Sequence, residues 1–499
     1  MQTVKVWHWL LHHHITTNCC GLSATACACT ITGKDDGPLF AFFISSLLLY
    51  TGKVPVMNPN STPVIAQSQD VVAPPVGDDY GMSRVPFNAR HPLFSIMMVR
   101  IGALTCISQF MLGASLGYGM TLWDAFLATF FGSVILQVVS LCLGVAAAKE
   151  GMGTSLLSAW SGFGRYGSSV IGGVIAISLT GWFGVQNAVF AEGIDSLLGH
   201  RPGFVLSSII SGAITIFLVF FGFRLLHLTA KITVPLFAIV MIWGIYVVLR
   251  DHSVLALATM APPGPVITLG AATTMVAGGF IVGCVTTPDI TRFARTPKDV
   301  LWITLAGTLI GEFGVNLLAV LMAHAAGSAD IMAIVLQLTG IIGGLIVALA
   351  TIKINDINLY SSSLGIVTFC HNILGVRLSR GILTIVLGVL GTVLSIIGIL
   401  DAFIPFLIIL GIAIPPVAGI ITIDYFILKT SQQILATSRQ TAELPASSYR
   451  VNLMALAAWL AGFGAGYFIN WGVQSITSIV VSSVLYYIGM KIMGRKALV

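Results

Sequence analysis

Apolar stretches of about 20 residues recur along the chain from residue 93 to its end, the length that a transmembrane α-helix needs to cross a bilayer. The pattern predicts twelve membrane spans, which we number in chain order. They cover roughly residues 93–117, 122–148, 168–194, 203–223, 229–249, 267–287, 300–324, 331–360, 381–400, 402–428, 451–469 and 472–491. We therefore expect an all-α protein that crosses the membrane many times.

Composition agrees with this expectation, because 56% of the residues are hydrophobic and 8% are charged, whereas soluble domains carry about 25% charged residues. An even number of spans puts both termini on one side. Placing them in the cytoplasm assigns 17 of the 24 Lys and Arg residues to that side and two, Arg201 and Arg250, to the other. The positive-inside rule thus predicts cytoplasmic termini. The net charge of +6 reflects topology, and no nucleic-acid partner is expected.

The region before the first span divides near Met57. Residues 1–56 hold four cysteines (Cys19, Cys20, Cys27, Cys29) beside His12, His13 and His14, but the spacing matches no familiar zinc pattern, and we predict no metal site. We interpret residues 1–56 as a non-functional extension and residues 57–92 as a cytoplasmic tail. The predicted domains that follow are a ten-helix transport core (93–428), a cytoplasmic loop (429–450), and two accessory helices with a short tail (451–499).

The eighth span carries charges in the segment IKINDINLY (352–360), where Lys353 and Asp356 lie among apolar residues. A lysine at the centre of a membrane helix costs about 2.5–3.5 kcal/mol on insertion scales. Such a residue needs a partner, a water-filled cavity or a function.

Two spans carry glycine-rich segments that are typical of the discontinuous helices found in transporters. The first span contains GASLGYG (113–119) and the sixth contains GGFIVGCVTTPDITRF (278–293). Glycine is also common where membrane helices pack closely, which is the alternative interpretation. Because the two spans are five apart, the interval of a five-plus-five inverted repeat, we favour a helix broken near its middle in each of them.

Polar and aromatic residues interrupt three otherwise apolar spans. In the third, Trp182 and Gln186 are four residues apart and so share one helix face. An indole face beside an amide suits a flat heterocycle with amide-like edges; helix packing is the alternative. Phe280 in the sixth span and Asn355, Asp356 and Asn358 in the eighth extend the pattern. Together they predict a shared cavity.

From about Ala89 to Val499 the chain resembles the nucleobase:cation symporter-1 family, which includes cytosine permeases and hydantoin and allantoin transporters. The matching segments are LGYGMTLWDAFLA (116–128), GWFGVQ (181–186), TPDITRFAR (287–295), NDINLYSSSLG (355–365) and IPPVAGIITIDY (414–425). The resemblance implies a twelve-span inner-membrane symporter with the five-plus-five fold of a leucine transporter, without a cofactor. It also implies that the substrate ring stacks between Trp182 and Phe280, while Gln186 and Asn355 read its edges. We expect a monomer.

Two positions depart from the family pattern. Cytosine permeases have a glutamine one turn before the span-three tryptophan, where this chain has Leu179 or its neighbour, and Gln186 is closer to the hydantoin-transporter arrangement. Sodium-coupled members have two hydroxyl residues just before the span-eight asparagine, where this chain has Lys353 and Ile354.

The resemblance places a sodium ion between those hydroxyls and backbone carbonyls of span one, here Gly102 to Thr105. With no hydroxyl pair, the Lys353 ammonium is expected to take the ion's position, since it has three N–H donors for the same carbonyls. Lys353 is then the cation-coupling residue together with Gly102, Thr105 and Asp356, and H⁺ is favoured over Na⁺ as the coupling ion. The alternative is a static ion pair between Lys353 and Asp356, three residues apart.

Other functional classes fit less well. A channel would need a ring of charges or carbonyls lining a pore, and the sequence has no such filter motif. A membrane enzyme would need a nucleophile with its base or a metal cluster, and the histidines after residue 90 form no metal-spaced pair. We therefore expect a non-enzymatic, proton-coupled importer of a cytosine- or purine-like nucleobase. A hydantoin or allantoin importer, possibly sodium-coupled, is the alternative.

Overall fold

A computed structural model describes residues 80, 83–221, 223–441, 444, 449–494 and 498, and no β-strand occurs among them. The extension predicted for residues 1–56, with its Cys and His cluster, lies outside this part of the chain. The α-helices are α1 (Leu93–Leu104), α2 (Ile107–Gly119), α3 (Leu122–Glu150), α4 (Thr154–Trp160), α5 (Gly164–Leu197), α6 (Phe204–Phe221), α7 (Phe223–Asp251), α8 (Val254–Thr259), α9 (Leu269–Val285), α10 (Thr287–Thr291), α11 (Pro297–Ala306), α12 (Val315–Ala326), α13 (Ile331–Phe369), α14 (Arg380–Ile396), α15 (Phe403–Ala413), α16 (Pro415–Thr422), α17 (Gln432–Thr441), α18 (Leu453–Phe468) and α19 (Gln474–Met493). π-Helical segments cover Gly307–Gly314 between α11 and α12, Cys370–Leu374 after α13, and Ile423–Leu428 after α16.

Each predicted span coincides with one helix or with consecutive helices. Among the described residues, six helices are long and apolar enough to cross a bilayer, and the bent pair α1–α2 makes a seventh. Four other apolar helices are shorter, namely α6, α9, α14 and α18. Local signals set several ends. For example, α3 begins after Thr121, whose hydroxyl accepts a hydrogen bond from the Asp124 N–H at 3.1 Å, and ends before Gly151, a left-handed residue with φ 66°.

The first span is broken near its middle, as predicted, but outside its glycine-rich segment. Helix α2 is continuous through Gly113 and Gly117, and the chain bends by 49° between α1 and α2, at Thr105 and Cys106. A Cβ on Gly113 would lie 2.4 Å from the Asn316 carbonyl oxygen. These glycines therefore allow close contact with α12, whereas the predicted break in span one is confirmed at Thr105 and Cys106.

The sixth span is also broken, inside the segment 278–293 that the sequence singled out, but near the end of the span rather than at its middle. Helix α9 runs unbroken to Val285 and α10 starts at Thr287, so the interruption is at Thr286, beyond the glycines. A Cβ on Gly278 would approach the Leu407 carbonyl oxygen to 1.8 Å, so this glycine lets α9 and α15 touch backbone to backbone. A further break, which the sequence did not predict, occurs within α13 at Gly340 (φ 70°).

One end of the helix bundle is held by a buried charge network around Glu150. Its carboxylate accepts hydrogen bonds from Arg84 at 3.0 Å, from the Tyr425 hydroxyl at 2.5 Å, and from Arg439. The Arg84 guanidinium also donates to the Ser438 hydroxyl at 2.6 Å. The segment before α1 and the segment after α16 therefore meet at the same end of α3.

Candidate functional site

The break in the first span frees a backbone carbonyl inside the bundle. Thr105 and Cys106 leave helical geometry (ψ 79° and ψ 163°). In a continuous helix the Cys106 N–H would bond the carbonyl of Gly102, but here it bonds the Leu104 carbonyl at 3.0 Å. The Gly102 carbonyl oxygen is thereby available to another donor.

Lys353 supplies that donor. Its Nζ donates to the Gly102 carbonyl oxygen at 2.8 Å, so that α13 is tied to the end of α1. Asp356 is not its partner, because both carboxylate oxygens of this buried residue lack a hydrogen-bond partner among the described residues. The static ion pair considered from the sequence is therefore absent here, and a role for Lys353 in coupling stays a prediction.

Trp182 and Gln186 lie in the middle of α5, and both are buried. The Trp182 indole meets Phe403 and Phe406 of α15 edge to face, at centroid distances of 6.0 Å and 5.4 Å. Neither amide atom of Gln186 has a hydrogen-bond partner within the described chain. Since a buried amide without partners costs free energy, Gln186 has unused donor and acceptor capacity for a ligand.

Asn355 connects α13 to α5 next to the tryptophan. Its Nδ2 donates to the Phe183 carbonyl oxygen at 3.2 Å. Its Oδ1 is buried and has no partner in the described structure. The Nδ2 bond fixes the amide, which leaves one acceptor oxygen unused two residues from Lys353.

Phe280 lies on α9, half-buried, with the Arg100 guanidinium carbon 5.1 Å from its ring centroid. Arg100 is itself buried and donates to the Gly283 carbonyl at 3.1 Å and the Ser140 hydroxyl at 2.9 Å. In the described part of the chain Phe280 makes no ring contact with Trp182. The arginine occupies one side of the phenyl ring and fixes it against α1.

Three contacts thus connect the four helices that carry the predicted site. Asn355 joins α13 to α5 beside Trp182, Lys353 joins α13 to α1 at Gly102, and Arg100 joins α1 to α9 at Phe280. Three features were not predicted from the sequence, namely the contacts of Phe403 and Phe406 with Trp182 and the cation–π contact of Arg100. The spacing of two phenylalanines three residues apart in span ten was the only available signal for the first two.

A family model described as "Permease for cytosine/purines, uracil, thiamine, allantoin" matches residues 89–490. The chain belongs to the nucleobase:cation symporter-1 family. Members of this family are permeases rather than enzymes. A relative with this function is the cytosine permease of Escherichia coli (strain K12), which is 28% identical over 421 residues, covering 84% of this chain and 96% of the relative. The cytosine permease of Escherichia coli O157:H7 matches to the same extent.

Solved structures show which fold this family member has. Mhp1 in its inward-facing conformation superposes with a TM-score of 0.71 at 19% identity, covering 83% of this chain and 93% of Mhp1. Mhp1 in a closed conformation with bromovinylhydantoin bound gives a TM-score of 0.67 at 19% identity, with 84% and 96% covered. The chain therefore shares the all-helical fold of Mhp1, a nucleobase-cation-symport-1 transporter.

Proposed function

We propose that the protein imports a cytosine- or purine-like nucleobase by symport with protons and without sodium. The observation that carries this proposal is the hydrogen bond from Lys353 to the Gly102 carbonyl. It lies at the interruption of span one, where the family resemblance expects a cation between spans one and eight. An ammonium group held there supplies the positive charge, and three N–H donors can bond carbonyls that would otherwise bind a metal ion.

Protonation and deprotonation of Lys353 can drive a transport cycle. A lysine differs from arginine in that burial makes it able to lose its proton. The charged form bonds the α1 carbonyl and holds α1 and α13 together, whereas the neutral form holds them less strongly, because hydrogen bonds with a charged partner are about twice as strong. Proton loading from outside and release inside then alternate the two states. Gly102, Thr105 and Asp356 complete the proposed coupling site.

The substrate proposal rests on the unused hydrogen-bonding groups beside Trp182. The Gln186 amide offers a donor and an acceptor, and Asn355 Oδ1 offers a second acceptor. These match the mixed donor and acceptor edges of a nucleobase, while Trp182 and Phe280 supply aromatic faces. The relatives named cytosine permease favour this substrate class. A hydantoin or allantoin importer, possibly sodium-coupled, is the second candidate, favoured by Mhp1 with bromovinylhydantoin bound.

The same proposal includes the finer architecture. We take the helices to form twelve spans, ten of them in a five-plus-five inverted repeat followed by two accessory spans (451–499). We place the protein as a monomer in the cytoplasmic membrane. Its partners are the lipid bilayer and a small heterocyclic substrate.

The topology prediction is that residue 75 and the C-terminus both face the cytoplasm. It is motivated by the excess of basic residues on that side. The contacts of Arg84 and Arg439 with Glu150 also bring the N-terminal tail and the 429–450 loop, both assigned to the cytoplasm, to one end of the bundle. Paired reporter fusions, one active only in the cytoplasm and one only outside it, check this result. Activity of the external reporter at either position would contradict the assignment.

The substrate prediction concerns the two edge-reading amides. Wild-type protein in lipid vesicles should take up nucleobases in preference to hydantoins and allantoin, with Na⁺ replaced by choline. Gln186→Leu should lower discrimination among substrates that differ in one donor or acceptor, because a site built to hydrogen-bond a group rejects analogues that lack it. Thr180→Ala is the matched control, since this hydroxyl bonds its own helix at the Ala176 carbonyl and lies on a different face of α5 from Gln186.

Both results are measured as the uptake of a panel of labelled bases, hydantoins and allantoin. Preference for a hydantoin in the wild type would support the second candidate. An unchanged order of substrate preference in Gln186→Leu would show that α5 does not recognise the edges of the substrate.

A further inference from the structure

Glu312 lies in the π-helical segment between α11 and α12 and has no exposed surface. Its Oε1 accepts a hydrogen bond from the Ser133 hydroxyl of α3 at 3.1 Å. Its Oε2 has no hydrogen-bond partner, and Glu312 forms no ion pair with any described residue. An ionised carboxylate in this state is costly inside a protein and more so in a membrane.

The register of α3 places further polar groups around this carboxyl. One turn after Ser133, Gln137 hydrogen-bonds Thr304 and Thr308, which precede Glu312, so α3 runs antiparallel to this span. Thr129, one turn before Ser133, is therefore level with Asn316, one turn after Glu312. The Thr129 hydroxyl and both amide atoms of Asn316 are buried and have no partner in the described chain.

Helix α2 contributes a second amide from the other side. A Cβ on Gly113 would meet the Asn316 carbonyl, so α2 crosses α12 there. Gln109, one turn earlier on the same face, is fully buried, and both of its amide atoms lack partners among the described residues. We call Gln109, Thr129, Ser133, Glu312 and Asn316 the bundle polar cluster.

The charged and titratable groups near Glu312 favour a proton over a metal cation in this cluster. Arg100 from α1 and Cys284 from α9 lie within electrostatic range of it. At the same level α3 presents Ser133, α2 presents Gln109, and α11 and α12 present threonine and asparagine side chains. The Arg100 guanidinium repels a metal cation but bonds Gly283 and Ser140 rather than Glu312. A proton on Oε2 removes the buried charge without bringing a second cation beside Arg100.

We propose that Glu312 binds a proton within the bundle polar cluster and is a second proton site of the transport cycle. The protonated Oε2 donates its hydrogen bond to an amide oxygen of Asn316 or Gln109, and Oε1 keeps the bond from Ser133. The site flanks the same interruption of span one that Lys353 contacts, because the neighbouring Gly311 packs against Leu104 and Thr105 while Lys353 bonds the Gly102 carbonyl. Movement at this interruption changes the surroundings of both Glu312 and Lys353. When the helices separate, water reaches Glu312 and the carboxyl releases its proton. The coupling role rests on the proposed proton symport, whereas proton binding itself does not.

Infrared spectroscopy of the full-length protein in lipid vesicles tests proton binding directly. Wild type at neutral pH should show a protonated-carboxyl C=O band that shifts in D₂O and disappears in Glu312→Gln. Glu192→Gln is the matched control, because Glu192 is a carboxyl of a membrane helix, α5, outside the cluster; this variant should keep the band that Glu312→Gln loses. Absence of any Glu312-dependent band between pH 5 and pH 8 would overturn the inference, whatever the transport results are.

Transport assays test the coupling role. Glu312→Gln resembles a permanently protonated residue, so it should exchange internal for external substrate at close to the wild-type rate. Its proton-driven accumulation should fall by about 50-fold at a potential of about 100 mV, if one coupled proton is lost. Wild-type accumulation in Glu312→Gln would restrict Glu312 to a structural role. If wild type itself shows no proton-driven uptake, the proposed function fails while the infrared result still decides whether Glu312 binds a proton.

Discussion

Replacement of Lys353 by methionine is expected to abolish proton-driven uptake while the protein still inserts and folds. Methionine keeps the length of the side chain but removes the ammonium, and the Gly102 carbonyl loses the donor that now lies 2.8 Å from it. A hydrogen bond with a charged partner contributes about 1.5–3 kcal/mol, so the state in which α1 and α13 are joined should become about 10- to 150-fold less populated. Accumulation at about 100 mV should fall by about 50-fold if one coupled proton is lost.

Three further variants distinguish a role of Lys353 in proton coupling from a role that needs only its positive charge. Lys353→Arg keeps the positive charge but cannot release a proton, and it should bind substrate without accumulating it. Lys353→Thr with Ile354→Thr restores two hydroxyls and should make the remaining uptake respond to Na⁺. Lys353→Met with Asp356→Asn should stay inactive, since Asp356 does not bond Lys353 in the structure.

The measurements are uptake in vesicles with and without a proton gradient, with Na⁺ exchanged for choline, alongside thermal unfolding of each variant. Full proton-driven uptake by Lys353→Met with Asp356→Asn would exclude a tethered-cation mechanism. Stimulation of the wild type by Na⁺ would exclude it as well, and would favour the sodium-coupled alternative.

The helices were predictable from the sequence because the requirement for them is local. A segment in hydrocarbon must satisfy its backbone hydrogen bonds internally, so a long apolar stretch such as 122–148 has to be helical, and α3 differs from it only at its end. Interruptions in spans one and six were predicted, but the residues that make them were not. Glycine both breaks helices and lets them approach, and Gly113 and Gly278 do the second. The break at Thr105 and Cys106 has no glycine or proline within it.

The candidate site was predictable to the extent that its residues are unusual for a membrane. Trp182 with Gln186, and Lys353 with Asn355, attract attention because polar groups within spans are costly. Their partners depend on tertiary packing. Nothing local in the sequence links Lys353 to Gly102, 251 residues earlier. Such pairings follow from the register of helices distant in sequence. Glu312, in the middle of predicted span 300–324, carries the same local signal of a charge inside an apolar span, and it was missed.

The second large effect is expected for Trp182→Ala, which should weaken substrate binding by about 5- to 150-fold. Stacking of a base on an aromatic side chain in nucleic-acid complexes contributes about 1–3 kcal/mol, and each 1.4 kcal/mol is about tenfold in affinity. The loss of the indole also frees Phe403 and Phe406, whose edge-to-face contacts now orient it. Phe280→Ala should have an effect in the same range but should also disturb Arg100, which lies against that ring.

Equilibrium binding of labelled substrate to purified protein measures these changes without requiring transport. Trp182→Phe should recover most of the affinity, because a phenyl ring keeps an aromatic face and contact with α15. Trp471→Ala is the matched control, since this tryptophan is 82% exposed and lies outside the site. Removal of an indole there should leave the affinity unchanged. Wild-type affinity in folded Trp182→Ala, Phe280→Ala, Gln186→Leu and Asn355→Leu would place the substrate elsewhere, because no aromatic face and no amide edge of the proposed site would then contribute to binding.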